Sequence, residues 1–149
     1  MAMTGLEAFD TTVQKSEVWL KEIGKELGWD SRQKSYKALR AVLHALRDRL
    51  TIDEGAHLSA QLPMLIRGIY YESWRPAEVP IKYRSKEEFL KRIERDFAGD
   101  PAFEPEKVTG VVLNVLKHEI SSGEAQEIEQ LLPGELKELW EKYDKEHAA

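Results

Sequence analysis

The stretch Gln61–Pro76, QLPMLIRGIYYESWRP, decides the fold. Pro63 suits the first turn of a helix, where a missing N–H costs nothing. Leu62, Leu65, Ile66, Ile69 and Tyr70 then recur at helical spacing and build one apolar face. Met64, Gly68 and Tyr71 build a second stripe on the other side. A helix apolar over most of its circumference is usually buried on several sides. The segment therefore reads as a central helix near 62–74, closed by Trp74 and the Arg75–Pro76 step, with structure packed on each flank.

Working outward, the N-terminal side holds three more helices. Leu6, Phe9, Val13, Val18, Leu20, Ile23 and Leu27 give a long first helix from about Thr4 to Gly28, which Gly24 weakens. Asp30 or Ser31 caps a second, carrying Tyr36, Leu39, Val42, Leu43, Leu46 and Leu50. Thr51-Ile52-Asp53-Glu54 is a capping box that opens a short third helix. On the C-terminal side, Pro76–Tyr83 reads as a linker. Ser85 with Glu88 caps a helix bearing Phe89, Leu90, Ile93 and Phe97, which Gly99-Asp100-Pro101 breaks. Pro105, Ser121 and Pro133 then start three more, the last with Leu136, Leu139, Trp140 and Tyr143.

The two sets match in one register. A shift of 70 residues, without a gap, puts Trp19-Leu20-Lys21 on Phe89-Leu90-Lys91 and Val42-Leu43 on Val112-Leu113. The same shift carries Thr51 to Ser121, Glu54 to Glu124 and Leu62-Pro63 to Leu132-Pro133. Shared caps, prolines and core positions at one offset indicate an internal repeat. The expected fold is all-α, a tandem repeat of two four-helix units, about eight helices in all. The first unit is residues 1–75, the linker 76–84 and the second unit 85–149, packed as one globular body around the 62–74 helix. Residues 17–71 and 87–141 should follow the same path.

Composition narrows the chemistry. The 149 residues are 42% hydrophobic and 33% charged and include no Cys, which excludes disulfides, thiolate metal sites and cysteine nucleophiles. No apolar run approaches the ~20 residues needed to cross a bilayer. The opening MAMTGLEAF has no basic segment followed by an apolar one. A cytoplasmic protein is expected. Up to Arg75 there are 11 Lys and Arg against 10 Asp and Glu, and beyond it 11 against 17. The net charge of −5 disfavours general binding to nucleic acid or an anionic membrane.

The run GLEAFDTTVQKSEVWLKEI, the segment YKALRAVLHALRDRLTIDEGAHLSAQLP and the block GIYYESW resemble the bacterial helical family catalogued as domain of unknown function 2267. The resemblance spans nearly the whole chain and implies an all-helical tandem fold. It carries no activity, substrate or catalytic residue.

Residue chemistry offers two candidate sites. Glu54 and His57 have the Glu-x-x-His spacing that puts both on one helix face, as in di-iron bundles. Those sites need a second such pair, and the offset counterpart, Glu124 to Glu127, has no His. Lys37, Arg40, His44 and Arg47 form a basic stripe on the second helix, a candidate surface for an anion or an acidic partner. The second half replaces its last three members by Gly110, Asn114 and Lys117. No nucleophile elbow, Gly-rich phosphate loop or His-Glu-x-x-His motif occurs, and the four His are scattered. No catalytic residue and no cofactor is expected.

The surplus apolar residues of the central helix are Met64, Gly68, Tyr71 and Trp74, whose counterparts are Gly134, Glu138, Glu141 and Asp144. Gly68 costs about 1 kcal/mol relative to Ala within a helix, which close packing against its backbone would explain. The second half folded back over this helix is one expected cover; a second copy or another protein is the other. The sequence thus points to a non-enzymatic interaction or scaffold module that self-associates. The alternative is a small-molecule or metal binder with a pocket between the repeats.

Overall fold

The computed structural model describes residues 4–98, 100 and 103–147, with side chains as far as 142. Gly99 and Pro101, and the side chains of Tyr143, Asp144 and His147, lie outside the described residues. The fold is all-α. Its helices are α1 Glu7–Leu27, α2 Arg32–Arg49, α3 Ile52–Ser59, α4 Met64–Tyr71, α5 Lys86–Glu94, α6 Pro105–Glu119, α7 Ser122–Leu131 and α8 Gly134–His147. Short 3₁₀ turns stand at Pro76–Glu78 and Arg95–Phe97. Among the described residues no helix is long and apolar enough to cross a membrane.

The caps are those the sequence calls for. Ser31 Oγ accepts from Lys34 N at 3.2 Å, Ser85 Oγ from Glu88 N at 3.1 Å and Ser121 Oγ from Glu124 N at 3.2 Å. At α3 both halves of a capping box form, with Thr51 N donating to Glu54 Oε1 at 2.9 Å. Gly28 ends α1 at φ 68°, a left-handed residue of the kind that favours glycine. Gly24 does not merely weaken that helix. An added Cβ would lie 3.0 Å from Trp29 O and 3.2 Å from Ser35 Oγ, so its smallness sets the approach of α1 to α2.

The centre of the molecule is α2 with α6, not the 62–74 segment. From Ala38 to Asp48 every residue of α2 is buried except half-buried Arg40 and His44, and Val108–Leu113 of α6 is buried without a break. Ala38, Ala41 and Ala45 are small enough to admit neighbours on several sides of α2, and α1, α4, α5 and α6 all pack against it. The helix α4 instead lies at the edge, against α1 and α2. It buries only Ile66 and Tyr70, while Met64, Leu65 and Gly68 face outward. An eight-residue helix with one neighbouring layer has only one face to bury, however apolar the other is.

One hydrophobic core runs through both halves, from Trp19 and Ile23 through Leu43, Leu46 and Leu62 to Leu113, Leu136 and Trp140. Within the halves α1 packs on α2 and α4, as α5 packs on α6 and α8; α4 packs on α2 as α8 does on α6. Across them, α1 meets α6 as α5 meets α2, α2 meets α6, and α3 meets α7. Exchanging the halves turns each of these contacts into another on the same roll; α7 in addition packs on α6 and α8.

Residues 76–84 are no free linker. Ile81 N–H donates to Asp48 O at 2.6 Å, Arg49 Nε–H to Tyr83 O at 3.1 Å, and the buried Tyr83 hydroxyl to Ala45 O. The segment straps the end of α2 and delivers α5 beside it.

Candidate functional site

The basic stripe of α2 is turned inward. A helix leaves its last carbonyls without intrahelical partners, and α4 stops at Tyr71 directly over this stripe. Arg47, 3% exposed, donates from Nη1 to Tyr70 O at 2.7 Å and to Glu72 O at 2.8 Å. His44 Nε2 lies 2.7 Å from Ile69 O, which fixes its Nε2–H as the donor. Arg40 Nε donates to Glu72 Oε1 at 2.8 Å. Only Lys37 points away, with Nζ 5.3 Å from the Phe97 ring centroid. Three of the four residues expected to hold an outside anion therefore close the end of α4, where positive charge also suits the helix dipole. In the second half α8 runs on to His147, and of the three counterparts Lys117 still donates from Nζ to Trp140 O at 3.3 Å.

This packing makes a prediction. Burial, above all, pushes the His44 imidazole below its ordinary value, with Arg47 and Arg40 adding to the shift against the Ile69 carbonyl. The unfolded chain therefore takes up the proton first, and stability rises with pH across the gap. It should be complete above the unfolded value of about 6.5 and fall on acidification below it. His44→Gln keeps a donor for Ile69 O without titrating. Urea midpoints at about pH 7.5 and 5.5 should show a larger loss for the parent than for this variant; equal losses would remove His44 from the account.

Glu54 and His57 sit in a cleft of about 330 Å³ between α3 and α7, one helix from each half. Asp53, Glu54 and His57 face Glu124, Glu127, Ile128 and Leu131 across it. The Glu54 carboxylate is already held by its cap bond to Thr51 N. Burial and the neighbouring Glu127 hold the Glu124 carboxyl above the usual range, opposed by His57. Among the described residues no three His, Asp or Glu side chains are placed to hold a metal ion together. The Glu-x-x-His pair is thus part of an acidic cleft and lacks the further ligands a di-iron site needs.

The surplus residues of α4 divide. Met64 is 57% exposed, and a Cβ at Gly68 would meet nothing within 4 Å, so the second half does not cover this face. Tyr71 and Trp74 are half-buried in a stack: Tyr71 stands edge-on to Tyr70 at 5.1 Å and tilted to Trp74 at 5.2 Å. The Tyr71 hydroxyl also donates to Ser59 Oγ at 2.8 Å. Leu65 N–H, at the outer side of α4, donates to Thr12 Oγ1 of α1 at 2.9 Å. A groove of about 580 Å³ runs between these helices, lined by Ala8, Thr12, Pro63 and Met64 among others. Leu6 and Phe9, at the start of α1, are 49% and 52% exposed, and Leu65 is 44% exposed.

With that geometry in place, the family can be assigned. The model of the family described as uncharacterised conserved protein DUF2267 matches residues 16–139. The chain belongs to this family. The DUF2267 match takes in the α3–α7 cleft and the whole of α4, while Leu6 and Phe9 precede it. No curated protein matches the chain.

The α3–α7 cleft was partly legible beforehand. The shift of 70 that carries Glu54 to Glu124 and His57 to Glu127 joins four of its lining residues, although nothing in it says that the two segments meet. The exposure of Leu6, Phe9 and Leu65 had no such signal, because each stands at ordinary core spacing for its helix.

Proposed function

We propose that this protein is a non-enzymatic helical interaction module of the cytoplasm that associates with a second copy of itself through the α1–α4 face. The observation that carries this reading is the exposure of Met64, in the groove between α1 and α4, together with that of Leu65 next to it and of Leu6 and Phe9 at the start of α1. Contiguous apolar residues left in water mark interaction sites more often than scattered ones do. A second copy is the default occupant, since two-fold homodimers are the commonest assemblies. Two four-helix repeats about a pseudo-two-fold would form the scaffold, a reading supported by the shared offset and by contacts that interchange with the halves.

Magnitudes set the conditions of the test. Each of the four side chains is about half buried already, so covering the remainder is worth about 1 kcal/mol apiece. Across a two-fold that is roughly 8 kcal/mol, against an association cost of at least ~4 kcal/mol. At that lowest cost the dissociation constant is about 1 mM. Light scattering from about 10 µM to 1 mM should show weight-average mass rising toward the dimer. Met64→Lys with Leu65→Lys should hold the protein monomeric with an unchanged helical spectrum. A wild type that stays monomeric throughout, or a double variant that associates equally, would defeat the proposal.

A further inference from the structure

The α3–α7 cleft lies apart from the α1–α4 face and has a different chemistry. Its floor is aliphatic, made by Ile128, itself only 1% exposed, and Leu131, 39% exposed; Ile52, the first residue of α3, is 48% exposed. Its rim carries Asp53, Glu54, Glu124 and Glu127. None of these four forms an ion pair with a described Lys or Arg, whereas Glu17, Asp48, Glu72, Glu87 and Glu106 all do. Among the described residues that line the cleft, His57 is the only basic side chain. Apolar surface left in water and carboxylates left without counter-charge thus coincide where the two halves meet.

We propose that this cleft is a docking site for a cationic amphipathic segment of another protein, one that sets an aliphatic side chain on Ile128 and Leu131 and places Arg or Lys among the rim carboxylates. Charge complementarity selects this occupant: four acidic groups facing one cleft repel an acidic segment and attract a basic one. The volume, about 330 Å³, suits one or two inserted side chains and not a folded surface. Arg fits best, because its planar fork can bond two carboxylates at once. Single exposed ion pairs contribute about 0–1 kcal/mol, so recognition needs the cluster together with the apolar floor. The surface is independent of the self-association proposed above.

The test uses the full chain and a short fluorescein-labelled peptide of Leu and Arg in helical alternation, read by anisotropy. Saturable binding is expected, weakening as salt rises. The same peptide with Glu in place of Arg should not bind. Glu124→Gln with Glu127→Gln should weaken binding roughly tenfold or more, as should the single reversal Asp53→Lys on the outer rim; a tenfold loss is about 1.4 kcal/mol. Both variants keep the Ser121 and Thr51 caps, and circular dichroism confirms the fold. Met64→Lys with Leu65→Lys should bind the peptide as the parent does, which separates this site from the α1–α4 face. Absence of saturable binding, or binding by the two rim variants as tight as the parent's, would overturn the proposal. So would calorimetry showing that calcium or zinc chloride alone binds stoichiometrically and displaces the peptide, since the cleft would then be a cation site.

Discussion

Asp48→Ala should cost about 3–5 kcal/mol, the penalty for removing one partner of a buried ion pair. Asp48 is 4% exposed. Its Oδ1 accepts from Arg47 Nε at 2.8 Å and its Oδ2 from Arg92 Nη2 of α5, while its backbone carbonyl takes Ile81 N–H. Arg47, 3% exposed, in turn holds Tyr70 O and Glu72 O. Truncation leaves Arg47 buried without its countercharge and frees Arg92, so α5, the strap and the end of α4 all lose an anchor. Asp48→Asn keeps the shape and one good acceptor and should lie between the two. Urea unfolding with constant slope measures both. A loss below about 1 kcal/mol for the alanine variant would class the pair with screened surface bridges.

Ile66→Ala should cost about 2–5 kcal/mol, the range for truncating a buried aliphatic. Ile66 is 1% exposed and points from α4 into the core. Two positions earlier, Met64 is 57% exposed, and Met64→Ala should stay within about 0.5 kcal/mol. The contrast matters more than either value. A helix packed on both sides would lose stability at both positions; one lying at the edge loses it only at Ile66. Thermal or urea melts of the two variants separate these pictures, and a comparable loss at Met64 would return α4 to the middle of the fold.

That contrast also shows what a sequence can and cannot say here. Thr51, Ser85, Ser121 and the prolines at 63, 105 and 133 announce their helices because a cap or a missing N–H acts within one turn. The repeat offset is legible for the same local reason. The centre is not. Helix α4 looks central because six of its eight residues carry apolar or aromatic side chains on both flanks, whereas α2 looks like a surface helix because Arg40, His44 and Arg47 interrupt it. His44 and Arg47 are spent on carbonyls left open because α4 stops at Tyr71, and Arg40 on the Glu72 carboxylate just beyond. Whether a basic stripe meets solvent or a helix end depends on the neighbour's length, which no periodicity within α2 reveals. The candidate site follows the same pattern: Met64 and Gly68 face outward from α4, and their spacing carries no information about what covers them. Tyr71 and Trp74 belong instead to an aromatic stack with Tyr70.

The proposal that the α1–α4 face joins two copies is tested most directly by hydrogen exchange followed by mass spectrometry at low and high protein concentration. Slower exchange should appear with concentration in peptides spanning the first turns of α1 and α4, and should vanish in the Met64→Lys, Leu65→Lys variant. Exchange that is independent of concentration, or protection that appears instead along α8, would contradict it.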